Sequence, residues 1–348
     1  MVILVTGGTG YIGSHTCVEL IEHGHEVVVF DNLSNSSADV IDRIEQITGR
    51  RPVFYRADMR DTDSMRPVFE HHRFDAVIHF AALKSVGESV QKPIEYYQNN
   101  VAGTINLCNM MREYGCRRII FSSSATVYGA PAEVPVREDF PLSATNPYGA
   151  AKLMVERLLT DICVADPDWS AVLLRYFNPI GAHASGLIGE MPNGIPNNLL
   201  PYVAQVAAGK LPHLNVYGTD YPTPDGTGVR DYIHVCDLAA GHVGAIQKAM
   251  NSTGVSVYNL GTGRGYSVLE IVHAFEKNTG IPIPCKPCGR RPGDIAVCYA
   301  DASRARKELG WAPRFDIDQM CRDAWNFTKK QFGIAQNHAG VCGSDNTP

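Results

Sequence analysis

Short, unbroken runs of apolar residues recur through the first half of the chain, at Val2–Thr6, Glu26–Phe30, Pro52–Arg56, Ala76–Phe80 and Arg118–Ser122, with a later one at Ala171–Arg175. Their cores are continuous and rich in Val, Ile and Phe rather than alternating with polar residues. That pattern marks parallel strands buried on both faces. Between them lie stretches with helical character, at 12–23, 37–48, 61–72, 90–114 and 147–166. Strand–helix alternation with a glycine turn at the first crossing predicts an α/β fold, a doubly wound parallel sheet of Rossmann type.

The texture changes after Arg175. Residues 178–230 are rich in Pro, Gly and Asn, with a helical stretch near 196–209. A β/α piece follows: Tyr232–Val235, a helix running to Met250, and Val255–Leu260. Residues 281–300 and a helix near 316–331 close a smaller α/β lobe. The expected division is therefore interleaved: a dinucleotide-binding domain over 1–177 to which 232–260 returns, a second lobe over 178–336, and a small polar tail over 337–348 expected to be disordered. No internal repeat is visible.

Composition narrows the classes. With 348 residues, 45% apolar and 19% charged, the chain can build both lobes around real cores. A formal net charge of -5 offers no global attraction to nucleic acid or an acidic membrane, so an anionic ligand must be held by local groups. No apolar run is long enough to span a bilayer. The first residues enter a strand directly, without a basic and apolar leader, so a cytoplasmic location is expected. The ten cysteines form no framework, and reduced thiols are the expectation. Cys285 and Cys288 make one CxxC, but no second pair of ligands stands at zinc spacing; no metal site is expected.

The first strand runs into Gly7-Gly8-Thr9-Gly10-Tyr11-Ile12-Gly13, a GxxGxxG turn opening a helix. Gly7 permits the tight turn, Gly10 lets backbone approach a diphosphate, and Gly13 lets helix and strand pack closely. Asp31 ends the next strand, where a carboxylate accepts from an adenosine ribose 2′-hydroxyl and repels a 2′-phosphate. No Arg or Lys lies between Tyr11 and Asn32 to favour that phosphate, so the expected cofactor is NAD rather than NADP. Asp58, ending the third strand, suits either the adenine edge or a helix cap.

Candidate chemistry sits farther on. Ser122, Ser123 and Ser124 end the fifth strand, and ligands of such sheets bind outside the carboxyl ends of the strands. Tyr148 and Lys152 follow at i and i+4, on one face of a helix. A free phenol ionises near pH 10, too high for a base at neutral pH, and a neighbouring ammonium is expected to bring it down. The phenolate could then take a hydroxyl proton while hydride leaves the same carbon, with Ser124 holding the reacting oxygen.

With GGTGYIGSHT, the serine strand end and YGAAK assembled, the chain resembles the extended short-chain dehydrogenases/reductases. HFAALKSVGESVQKP (79–93), NNVAGT (99–104), FSSSATVYG (121–129), LLRYFNPIGAH (173–183), GIPNNLLPY (194–202) and DGTGVRDYIHV (225–235) look like their UDP-hexose 4-epimerase branch, over essentially residues 1–331. The resemblance implies reversible inversion at C4 between UDP-glucose and UDP-galactose, through a 4-keto sugar and transient NADH. It implies cofactor contacts at Tyr11, Ile12, Asn32, Asn35, Ser36, Asp58, Met59, Phe80, Ala81, Ala82, Lys84, Asn99, Ser122 and Phe177. UDP-hexose contacts fall to Lys84, Ser124, Tyr148, Asn178, Asn198, Leu199, Asn215, Tyr217, Arg230, Arg291, Asp294 and Cys298. Cys298 stands where some relatives carry a bulky Tyr, so N-acetylated UDP-hexoses are expected to fit as well. The branch usually pairs as a homodimer through the helices Pro93–Tyr114 and Pro147–Ala165, with Leu107, Met110, Met111, Leu153, Leu158 and Leu159 as the expected apolar faces.

Two rivals are weaker. A sugar-nucleotide 4,6-dehydratase carries Asp-Glu where this chain has Ala125 and Thr126, which shuttle no proton at neutral pH, and a related decarboxylase needs a similar Glu. A catalytically silent NAD-binding regulator would be expected to lack Tyr148 or Lys152.

Overall fold

The computed structural model describes residues 1–192, 194–291 and 293–334; the tail expected over 337–348 lies outside them. The chain opens with β1 (Val2–Thr6), α1 (Tyr11–Glu22), β2 (Glu26–Asp31), α2 (Asp39–Thr48), β3 (Val53–Arg56), α3 (Thr62–His71) and β4 (Ala76–His79). Next come α4 (Val86–Gln91), α5 (Pro93–Tyr97), α6 (Gly103–Glu113), β5 (Arg118–Ser124), α7 (Pro147–Ala165) and β6 (Ser170–Tyr176). The second half adds β7 (Asn178–Ile180), α8 (Leu199–Ala207), β8 (Leu214–Tyr217), β9 (Val229–His234), α9 (Val235–Asn251) and β10 (Gly254–Leu260). It ends with β11 (Gly265–Ser267), α10 (Val268–Thr279), β12 (Cys285–Cys288), β13 (Val297–Cys298), α11 (Ser303–Leu309) and α12 (Ile317–Phe332).

Seven strands form one parallel sheet in the order β10-β6-β5-β4-β1-β2-β3. Strand order reverses between β1 and β4, and a crevice opens there at the carboxyl ends of the strands. Both faces are covered, which is why the strands read as unbroken apolar runs. Ile3 and Val5 pack on one face with α1, α2 and α9, while Leu4 packs on the other with α3, α6 and α7. Burying each such side chain stabilises by roughly 1.5–3 kcal/mol. A third core, including Val203, Phe275 and Met320, holds α8, α10 and α12 together beside β9.

Three sequence expectations need correction. The single helix expected over 90–114 is broken between α4 and α5, because Lys92, before Pro93, leaves helical geometry (φ -130°, ψ 55°), as residues preceding proline tend to. Between α5 and α6 the chain makes a π-helical turn, Gln98–Ala102. The segment 232–260 does not act as one piece. Strand β10 extends the large sheet beside β6, but β9 pairs with β7, β11 and β13 in a smaller sheet. Last, Leu107, Met110, Met111 and Leu159 are sealed inside the protomer's own core and offer no face to a partner. The exposed apolar side chains of these helices are instead Ile94, Ile105, Met154 and Val164.

Candidate active site

The loop joining β1 to α1 is built from contacts that exclude any side chain. A Cβ on Gly13 would stand 2.2 Å from the Gly7 carbonyl oxygen, and one on Gly7 would stand 2.7 Å from the Ala81 nitrogen. Gly7 also has φ +71°, which favours glycine. Gly10 is the N-cap of α1, without a side-chain cap and with no acidic residue in the first turn. Backbone N–H groups and the positive end of the helix dipole are therefore available to an anion. Asp31, at the end of β2, accepts from the Thr9 and Leu33 amides (3.2 and 2.9 Å) and from Ser36 Oγ (3.3 Å). An open helix start beside a buried carboxylate fits the diphosphate and ribose of a dinucleotide.

The other expected cofactor residues are placed in unequal ways. Tyr11 spends its hydroxyl on the Gly181 carbonyl (2.7 Å), so its backbone rather than its phenol faces the glycine turn; Ile12 packs against the core. Asn32 donates to Asp58 (2.9 Å), whose carboxylate is also gripped by Arg60 (2.9 and 2.6 Å), chiefly through which it ionises well below the usual range. The cap of α3 is Asp61, not Asp58. Ser36 bonds Thr9 Oγ1 (2.7 Å), Asn35 is exposed, and Met59 is buried where Gly103 leaves it room. Phe80 packs against His242 with the rings tilted (centroids 4.8 Å apart), and Ala81 and Ala82 continue the loop after β4. That loop is tied down from the π-helical turn: Asn100 accepts from the Leu83 amide and donates to its carbonyl, while Asn99 donates to Asn100 (2.9 Å).

Helix α7 starts at Pro147, with Asn146 capping the Gly149 amide (2.9 Å). This start presents Tyr148 and Lys152 to the end of β5. Ser124 is the neighbour that favours the Tyr148 phenolate, Lys152 donates to the Ser122 carbonyl (2.5 Å), and the ammonium lies 5.8 Å from the Tyr148 ring centroid. The sequence brought phenol, ammonium and serine together, but one electrostatic expectation is reversed. Burial raises the Tyr148 phenol above its ordinary value, with Ser124 the one group opposing it. Burial also pushes the Lys152 ammonium down to about 7. Desolvation outweighs the pairwise attraction in this dry corner.

The expected UDP-hexose residues are spread over the small β7/β9/β11/β13 sheet, a separate two-stranded sheet of β8 and β12, and neighbouring loops. Asn178 begins β7, Asn215 and Tyr217 lie on β8, and Arg230 lies on β9 across from Cys298 of β13. Arg230 approaches Asp294 (3.7 Å), and Arg291 lies over the Tyr217 ring (4.0 Å). Cys298 is buried in a cluster with Phe177 and Val127, and burial raises its thiol to about 11. Asn198 caps α8 by position, ahead of Leu199, but its side chain donates instead to Glu190 (2.7 Å). Glu190 also receives Lys84 (2.9 Å), joining the loop after β4 to the start of α8. Sequence reading missed Glu190, which lies in an irregular stretch with no periodicity to mark it. It also missed Glu156, four residues after Lys152, where the helical spacing was visible. Among the described residues no cluster of His, Cys, Asp or Glu has metal-binding geometry; Cys285 and Cys288 are free thiols on β12.

The fold and this arrangement define an extended short-chain dehydrogenase/reductase. The profile of the family described as GDP-mannose 4,6 dehydratase matches residues 4–324. A UDP-glucose 4-epimerase of Bacillus subtilis is 61% identical over 94% of this chain and 96% of its own length. The structure of a UDP-glucose 4-epimerase from Stenotrophomonas maltophila, with bound NAD and formylated UDP-arabinopyranose, superposes with a TM-score of 0.94 at 53% identity, covering 96% of this chain and all of that one. That from Bifidobacterium longum, in complex with NAD+ and UDP, gives 0.92 at 56% identity over 95% and 98% of the two chains. The chain belongs to the UDP-glucose 4-epimerase family.

Proposed function

We propose that this protein is an NAD-dependent isomerase that interconverts UDP-galactose and UDP-glucose by inverting C4 of the hexose. The observation that carries the reading is the seating of Tyr148 and Lys152 over the serine end of β5, beside the glycine turn of β1. NAD, when bound, supplies a hydride acceptor and donor and a positively charged ring beside the phenol. Gly7, Gly10 and Gly13 would hold its diphosphate and Asp31 its adenosine ribose, with Asn32, Asn35, Ser36, Asp58 and Met59 around the adenine end. Phe80, Ala81, Ala82, Lys84, Asn99, Ser122 and Phe177 would border the nicotinamide end.

Tyr148 takes the proton of the sugar 4-hydroxyl, Ser124 holds that oxygen, and the Lys152 ammonium stabilises the phenolate. Arg230 and Arg291 offer guanidinium forks to the UDP diphosphate, while Asn178, Asn198, Asn215 and Tyr217 hold its remaining polar edges. Inversion requires the 4-keto sugar to present its other face. Firm UDP contacts therefore belong with a hexose pocket kept loose. Thr126 spends its hydroxyl on Ser124 (3.0 Å) and Ala125 has no proton to give, which disfavours dehydration.

The small side chain of Cys298, which stands beside Phe177 where a Tyr would add most of an aromatic ring, supports the reading that a 2-acetamido group is tolerated, so UDP-GlcNAc and UDP-GalNAc belong among the substrates. A homodimer fits the exposed apolar residues Ile94 (68% exposed), Met154 (48%) and Val164 (79%) on α5 and α7. The cytoplasm is the location we assign; no helix among the described residues is long and apolar enough to cross a membrane. The test is whether the purified protein converts UDP-galactose to UDP-glucose without added NAD. Conversion supports a resident cofactor reused within each cycle. A protein that stays inert with or without added NAD contradicts the reading.

A further inference from the structure

Helix α7 carries a third polar residue on the stripe that presents Tyr148 and Lys152. Glu156 follows Lys152 by four residues, so its side chain lies one turn deeper on the same face. It is almost completely buried, as is its partner Arg175 of β6 (side chains 5% and 4% exposed). Arg175 forks onto it through Nε (3.0 Å) and Nη2 (2.7 Å), and Ser123 Oγ donates to the same carboxylate. The remaining guanidinium nitrogen donates to Tyr128 Oη (2.9 Å) and to the Glu138 carbonyl (3.1 Å). Tyr128 in turn donates to Asn259 (2.6 Å). Three successive turns of α7 thus meet three successive serines of β5: Tyr148 meets Ser124, Lys152 meets Ser122, and Glu156 meets Ser123.

Buried ion pairs are weak evidence for stability, because desolvating both charges offsets their attraction. The position of this one gives it another use. Among the described residues Lys152 forms no salt bridge; its ammonium is held by a carbonyl and lies over the Phe121 ring (4.9 Å). The other titratable groups facing it and Tyr148 bring no anion. His79 on β4 is kept neutral by burial, and Tyr176 on β6 is kept protonated. Glu88 and Lys92, at the α4 edge packed on α7, pair with each other (3.1 Å). Glu138 lies beyond Arg175. Glu156 is the carboxylate that favours the charged lysine.

We propose that Glu156, fixed by Arg175 and Ser123, is a positioning residue whose buried charge keeps Lys152 protonated while the enzyme works. This rests on the epimerase reading and adds to it the source of the lysine's charge. The experiment measures the pH profile of kcat on saturating UDP-galactose, which reports groups in the enzyme–substrate complex. In Glu156→Gln the alkaline limb moves down by roughly one pH unit, a tenfold loss of rate on that side. Glu156→Asp, which keeps the charge, restores the limb to within about 0.3 unit. Because Glu156→Gln leaves Arg175 unpaired and could fail to fold, a paired Glu156→Gln, Arg175→Met variant removes both charges, a change that buried pairs often tolerate. Its limb also moves down, but by less than in Glu156→Gln because the opposing Arg175 charge goes as well, with KM changed by less than about threefold. A folded paired variant whose limb stays in place overturns the proposal. Absence of turnover in the wild type would instead remove the epimerase reading, and this proposal with it.

Discussion

The two halves of the site are built to different standards of rigidity. Around the β1–α1 turn, backbone meets backbone, and a single methyl on Gly13 would have to occupy space 2.2 Å from a carbonyl oxygen. Tyr148 and Lys152 are likewise set on a capped helix and desolvated against β5. Across the crevice, the candidate diphosphate ligands are side chains on short strands and loops. Arg291 rests on an aromatic face and Arg230 lies 3.7 Å from a partly exposed carboxylate. Such contacts are worth little in water and give way readily to a stronger anion. The contrast suits a site whose base and cofactor contacts are preset, while the arginines exchange weak partners for the diphosphate on binding and then anchor UDP as the sugar turns over.

The largest effect should come from the rigid half. Tyr148→Phe keeps the ring and removes the base, so kcat is predicted to fall by roughly 10²-fold or more with NAD still bound. Near-normal turnover in that variant would remove Tyr148 from the mechanism. Lys152→Met sharpens the point by separating activity from stability. Unfolded, the lysine keeps its proton up to pH 10.5; folded, it loses it near 7. Its charge therefore works against folding below pH 7, and the penalty shrinks as pH rises from 7 to 10.5. The variant should lose most activity yet melt higher than wild type at pH 7, the gain vanishing toward pH 10.5. A lower Tm at pH 7 would show the ammonium to be stabilising.

In the looser half a substitution should change selectivity rather than the reaction. Cys298→Tyr fills space beside Phe177, and overfilling a packed pocket costs roughly 1–3 kcal/mol, enough for ten- to hundredfold discrimination. The variant should lose UDP-GlcNAc and UDP-GalNAc while keeping UDP-galactose; wild type inert on the N-acetylated pair would refute the breadth. The last effect is global and bears on stability rather than on turnover. Burial holds His15 and His79 near 3 and His242 near 4, against an ordinary 6.5. Between pH 6.5 and 4 the unfolded chain takes up protons that these native histidines refuse, so stability falls as pH falls through that window. A Tm independent of pH there would contradict their burial as neutral groups.

What could be read from sequence follows the same division. Val2–Thr6 and Glu26–Phe30 were legible because strands buried on both faces must be apolar throughout, and Gly7 to Gly13 because the turn tolerates no substitute. The helical spacing of Tyr148 and Lys152 carried over directly. The break at Lys92 was signalled by Pro93, but nothing local announced the π-helical turn that seats Asn99. Leu107 and Met111 were assigned to a partner because amphipathicity does not say which surface covers the apolar face. Glu190 was invisible because its importance lies in joining Lys84 to Asn198, 106 residues away in one case and eight in the other.

The central claim is that hydrogen leaves C4 and returns to the same carbon while the sugar turns within the site. It is tested most directly with UDP-galactose carrying deuterium at C4, incubated in ordinary water and followed by NMR. The account predicts UDP-glucose with the deuterium retained at C4. Loss of the label to solvent, or a dehydrated product in place of UDP-glucose, would contradict it.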